Sequence, residues 1–184
     1  IITLMKKKIL TKKEVIEVCE REESHFYDKK SKEIPGKKIQ KIAVAFANAD
    51  GGDFIIGIKD DKEDVNPLLR WSGHKTIEDF NFVFQNISEI NPSIPYTALF
   101  LYYKDINEYV LSISVEKSSS VHYTSDNTVY IRKSAQSLKI KEPQKITELA
   151  FAKGETSYDD VILNQAYPED IFETKQIAQF LSTY

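Results

Sequence analysis

Ile39-Gln40-Lys41-Ile42-Ala43-Val44-Ala45-Phe46-Ala47, then Asn48-Ala49-Asp50-Gly51-Gly52, then Phe54-Ile55-Ile56-Gly57-Ile58, form one continuous unit of sequence. In its first part Ile39, Ile42, Ala43, Phe46 and Ala47 recur at helical spacing, so the segment predicts a helix with one face packed on a sheet. Gly51-Gly52 is a helix stop. The apolar run that follows lacks alternation, which predicts a central strand covered on both faces. Gly57 inside it signals a bulge or a close backbone approach.

Outward from this unit the chain alternates helical and strand patterns. On the N-terminal side, Thr11 and Glu14 predict a capping box, with Leu10 stapled onto Val15, for a helix carrying Val15, Ile16, Val18 and Cys19. His25 to Ser31 reads as a short strand. Glu23 and Asp28, five apart, meet only if the chain turns between them, as at a helix-to-strand junction. Pro35-Gly36 opens the central helix.

On the C-terminal side, Asp61 to Lys75 reads as loop, and Thr76 with Asp79 caps a helix carrying Ile77, Phe80, Val83, Phe84, Ile87 and Ile90. Tyr96–Tyr103 and Tyr109–Val115 predict a hairpin with Tyr109, Leu111, Ile113 and Val115 inward and Val110 mostly outward. Thr128 to Arg132 is a further strand, and Pro143 starts a helix through Phe151. The expected class is α+β, a mixed sheet of five to six strands with packed helices. Residues 1–10 are read as an N-terminal extension whose first residues are a start-site artefact. Residues 11–153 form the domain, and 154–184 a linker and first helix leading into a following domain.

Composition narrows the function. The 184 residues are 41% apolar and 29% charged, ordinary for a globular protein. No apolar run reaches the length of a membrane span, and the N-terminus lacks a signal-peptide pattern. The lone Cys19 excludes an internal disulfide and a cysteine zinc cluster, which suits a cytoplasmic location. The net charge of −3 is unevenly spread: residues 1–50 hold twelve Lys/Arg against eight Asp/Glu, whereas 144–184 hold three against seven. A positive N-terminal third can hold a phosphate backbone. Its candidate contacts are Lys29, Lys30, Lys32, Lys37, Lys38 and Lys41, for which a solvated helix face is the competing account.

Glu23, Asp28 and Asp60 with Lys30 are the leading chemical constellation. Oxygen ligands of this kind suit Mg or Mn, and a lysine beside them steadies a phosphate. Carboxylates so loosely spaced are more often solvated surface. Gly51-Gly52 is no Walker loop, since no Gly-Lys-Ser/Thr follows. His25, His74 and His122 lack ligand spacing, and Ser24 lacks a triad histidine.

Glu23-Ser24 followed by Asp28 and Lys30, then Ala45-Phe46-Ala47-Asn48-Ala49 with Gly51-Gly52, then Ile56-Gly57-Ile58 with Asp60, resembles the Schlafen-type AlbA-like domain. The likeness runs from about Glu22 to about Leu138 and includes Tyr130-Ile131-Arg132 before a small-residue loop at Ser134. It implies an α+β nucleic-acid-binding fold, found in bacteria at the N-terminus of regulators and ATPase-like proteins. The partner would be DNA or RNA, bound by a single or dimeric module without a cofactor, through the lysine patch and Arg132. In nuclease-active relatives the positions of Glu23, Asp28 and Asp60 hold Mg or Mn and that of Lys30 assists, which gives the alternative of a metal-dependent endoribonuclease on structured RNA. Asp28 stands where that pattern usually has Glu, one methylene longer.

Overall fold

The computed structural model describes residues 6–156. The five-stranded sheet is ordered β1(Lys6–Ile9), β4(Tyr96–Tyr103), β5(Glu108–Val115), β3(Gly52–Ile56), β2(Tyr27–Lys30). Strand β5 is antiparallel to both neighbours, whereas β1 with β4 and β2 with β3 are parallel pairs. β1, β4, β3 and β2 therefore all point the same way and deliver their C-terminal residues to one end of the sheet. A separate hairpin, β6(Val129–Lys133) with β7(Gln136–Ile140), packs over helix α2(Gly36–Asn48). The fold is thus α+β with a mixed sheet, as the pattern of the sequence predicts.

The helix α2 and strand β3 reproduce the unit from which the reading began. Phe54 and Ile56 face one core with Ile39, Phe46, Phe80 and Ile113, which helices α2 and α4(Asn81–Ser88) cover. Ile55 and Ile58 face the other way into a second core with Val15, Cys19, Tyr27 and Val110, beside α1(Lys12–Glu20) and the short α3(Pro67–Arg70). Two covered faces explain the unbroken apolar run. Gly57, at φ +115°, is a close approach: a Cβ there would lie 3.0 Å from Val110 and 3.1 Å from the Cα of Gly73.

The N-terminus of α1 has the expected capping box. The Thr11 hydroxyl accepts from the Glu14 amide at 3.3 Å, and the Glu14 carboxylate accepts from the Thr11 amide at 2.8 Å. Lys8 adds a 2.8 Å bond to that carboxylate, and with these donors it holds the Glu14 pKa down at about 2.

Five features differ from the sequence reading. Lys6–Ile9, set apart as an extension, is an edge strand. Its three lysines hide the strand pattern, but an edge strand tolerates and even prefers charge. The 61–75 segment contains α3, capped by the Asn66 side chain on the Leu68 amide. The helix expected from Thr76 opens as a 3-10 turn, Glu78–Phe80, before α4, although Asp79 does accept the Thr76 amide. Val110 is fully buried because the second core covers its face too. β7 went unread because Leu138 and Ile140 are its only apolar residues. The helix from Pro143 is present as α5(Pro143–Lys153), and Gly154 ends it in the left-handed conformation. The first helix and most of the linker expected over 154–184 lie outside the described residues. No described helix is long and apolar enough to cross a membrane.

Candidate nucleic-acid interface

Between α1 and β2 the chain reverses tightly, with the Ser24 amide donating to the Tyr27 carbonyl at 2.9 Å. The reversal swings Glu23 back alongside β2, where its Oε1 accepts from the Lys29 amide at 3.1 Å and from Lys30 Nζ at 2.9 Å. Lys30 Nζ also bonds the Asp28 Oδ1. Glu23, Asp28 and Lys30 therefore do converge where a helix hands over to a strand, as their spacing requires.

Asp28 is 3% exposed, and its second oxygen accepts from Arg132 Nη1 at 2.7 Å. Arg132, also 3% exposed, donates through Nη2 to the carbonyls of Ser24 and Tyr27, and its guanidinium lies 4.8 Å from the Phe46 ring centre. This buried pair joins the β6–β7 hairpin to β2. Burial pushes the Asp28 carboxyl up against the pull of Lys30. Burial also acts to raise Glu23, but the Lys30 ammonium and the Lys29 amide outweigh it and hold its carboxyl below the ordinary value. For Lys30 the sign reverses: burial acts to lower it, and its bonds to Asp28 and Glu23 raise it.

Beside this cluster opens a cavity of about 580 Å³, lined among others by Glu23, Lys30, Lys38, Asp60, Asp61 and Glu63. Asp60 sits at its rim just beyond β3, and its Oδ1 accepts from the Lys62 amide at 2.9 Å. At the first turn of α2, Lys37 and Lys38 are exposed. Lys41, half-buried, holds its ammonium 5.5 Å from the centre of the Tyr130 ring, and half-buried Lys32 donates to the Gly73 carbonyl.

A family profile, Schlafen, AlbA_2, matches residues 23–141, which include every strand and helix just described except β1, α1 and α5. The chain belongs to the Schlafen AlbA_2 family. Membership is consistent with a nucleic-acid-related module. No curated protein matches the sequence. Among solved structures, the DIP2311 protein from Corynebacterium diphtheriae is similar at 18% identity, with a TM-score of 0.49 over 79% of this chain. The chain spans 31% of that protein's length.

Within this Schlafen AlbA_2 domain two of the sequence candidates have other roles. Arg132, expected to touch phosphate, is sealed inside and neutralises Asp28. Lys29 is 9% exposed, and its ammonium caps the end of α1 through the Cys19 carbonyl at 3.0 Å and pairs with Asp61 at 2.9 Å. Arg70 joins the same Asp61, a knot that the loop-like sequence around it gave no reason to expect. Cys19 is buried, which pushes its thiol up to about 11, so it is structural.

The carboxylates fit a metal poorly as arranged. Both Asp28 oxygens and one Glu23 oxygen already accept from cationic donors. Among the described residues no three His, Cys, Asp or Glu side chains are gathered so as to hold an ion. Glu23 and Asp28 come together; Asp60 lines the same cavity without joining them. Sequence reasoning also missed Asn48, whose amide donates to the carbonyls of His122 and Tyr130 and accepts from the His122 amide at 2.8 Å. Its place at the end of the matched helix motif was the available signal.

Proposed function

We propose that this Schlafen AlbA_2 domain is a nucleic-acid-binding module that grips the sugar–phosphate backbone of DNA or RNA. The contacts are Lys37, Lys38 and Lys41 on α2, with Lys32 at the start of the same lobe. The observation that carries this reading is the placement of Lys37 and Lys38. They stand exposed at the N-terminal turn of a 13-residue helix, at the rim of the cavity that Lys38 lines. The positive end of the helix dipole adds to their charge there. Lysine point charges favour backbone contact over base reading. The buried Arg132 and Asp28 brace Lys30, which lines the same cavity as Lys38. Cleavage by a bound Mg or Mn, the endoribonuclease alternative, would require Asp28 to share with the ion an oxygen that already accepts from Lys30 or Arg132.

Lys37→Glu with Lys41→Glu tests the proposal. In fluorescence-anisotropy titrations the double variant is expected to bind labelled 20-nucleotide DNA and RNA strands at least tenfold more weakly, by about the same factor for every base sequence. Unchanged affinity, or a loss confined to one sequence, would overturn it.

A further inference from the structure

The strand β1 and the first turn of α1 carry Lys6, Lys7, Lys8, Lys12 and Lys13, with no acidic residue among positions 6–13. All five are exposed. Lys8 pairs with Glu14, and Lys13 sits 3.8 Å from Glu17, while Lys6 and Lys12 form no ion pair among the described residues. Lysines on an edge strand can serve simply to keep sheets from pairing edge to edge. Lys7 is more constrained than that role needs. Its ammonium lies 4.7 Å from the ring centres of both Tyr102 and Tyr109 and donates to the Tyr109 hydroxyl at 2.7 Å. The two rings thus fix a positive charge on the sheet surface in place, at low entropic cost to a ligand that meets it.

The topology relates this patch to the α2 lysines. β1 and β2 are opposite edges of the sheet but run in the same direction. Lys12 follows the end of β1 and Lys32 the end of β2, so both patches reach the same end of the sheet. Four strand spacings separate the two edges, roughly 19 Å. A ligand touching both must be an extended polyanion.

We infer that the β1 edge is a second phosphate-contacting strip, so that one nucleic-acid strand engages Lys6, Lys7 and Lys12 as well as the lysines of α2. This rests on the nucleic-acid reading above and extends it to residues outside the matched family region. An anionic membrane is the less suitable partner for the same charges. The apolar stripe of α1 is turned inward, with Val15 and Cys19 both 0% exposed, so the strip has no apolar helix face to insert.

The test is the salt dependence of binding to a labelled 20-nucleotide single strand between 50 and 200 mM NaCl. Three proteins are compared: wild type, Lys6→Gln/Lys7→Gln/Lys12→Gln, and a control of equal net charge, Lys133→Gln/Lys141→Gln/Lys145→Gln. Losing three phosphate contacts should make the log K against log salt slope shallower by about 2 and weaken binding on the order of tenfold. The control should keep the wild-type slope. If the wild type binds, the α2 double variant weakens it, and the β1 variant keeps its slope, the second strip is refuted while the nucleic-acid reading stands. Equal losses in the β1 variant and the control refute it as well, because bulk charge then accounts for the effect. A β1 variant that loses binding to phosphatidylserine vesicles but not to the oligonucleotide assigns the strip to membranes instead. A wild type that binds no oligonucleotide at all refutes the underlying reading.

Discussion

Arg132→Met is expected to lower stability by about 3–5 kcal/mol, the usual cost of removing one partner from a buried ion pair. In a thermal melt this is a fall on the order of 10 °C. The reason lies in what the guanidinium leaves behind. Asp28 stays 3% exposed with one oxygen lacking a donor, and the carbonyls of Ser24 and Tyr27 each lose one donor and keep only their mutual backbone bonds. Lys30 still bonds the other Asp28 oxygen, which keeps the loss at the lower end of the range. The double change Asp28→Leu/Arg132→Met removes the stranded charge and should recover part of the stability. If the double variant falls below the wild type by the full sum of the two single losses, the two groups are not acting as a pair.

Phe46→Ala should cost about 3–5 kcal/mol, as large-to-small changes at fully buried aromatic positions do. Phe46 is 0% exposed near the C-terminal end of α2, and it touches three parts of the fold at once. Its ring packs in the main core, supports the Arg132 guanidinium and fits against Gly52, where a Cβ would come within 2.6 Å of it. Because Phe46 and Arg132 are in contact, their losses should not add. A double-mutant cycle between Phe46→Leu and Arg132→Met, read by urea denaturation, is expected to show coupling of 0.5 kcal/mol or more. Strict additivity would mean that the ring does not support the guanidinium.

Much of this architecture was legible in the sequence, for identifiable reasons. The helix stripe Ile39–Ala47, the Gly51-Gly52 stop and the two-sided strand after it are strong local signals, and each is confirmed. The capping box at Thr11 is another. The meeting of Glu23 with Asp28 followed from a spacing that only a change of chain direction can reconcile. What escaped was non-local. Nothing in Tyr130-Ile131-Arg132 says that the arginine will reach Asp28, 104 positions earlier, and so be lost to any ligand. Lys29 and Lys30 are adjacent in sequence yet are spent on different acids, Asp61 and the Glu23–Asp28 pair, because neighbouring strand residues point to opposite faces. Among the lysines of the original patch, Lys37 and Lys38 are exposed, Lys41 is half-buried and Lys29 is buried. β1 was unreadable because its sequence is that of a charged tail until β4 pairs with it.

Backbone amide shifts in an ¹⁵N-labelled protein, followed while a short oligonucleotide is added, give the most direct test of phosphate binding at the cavity rim. The expected result is a saturable shift focused on 36–41, at the first turn of α2, that fades as salt is raised from 50 to 200 mM. Shifts that leave 36–41 untouched and gather elsewhere on the protein, or shifts that do not respond to salt, would contradict it.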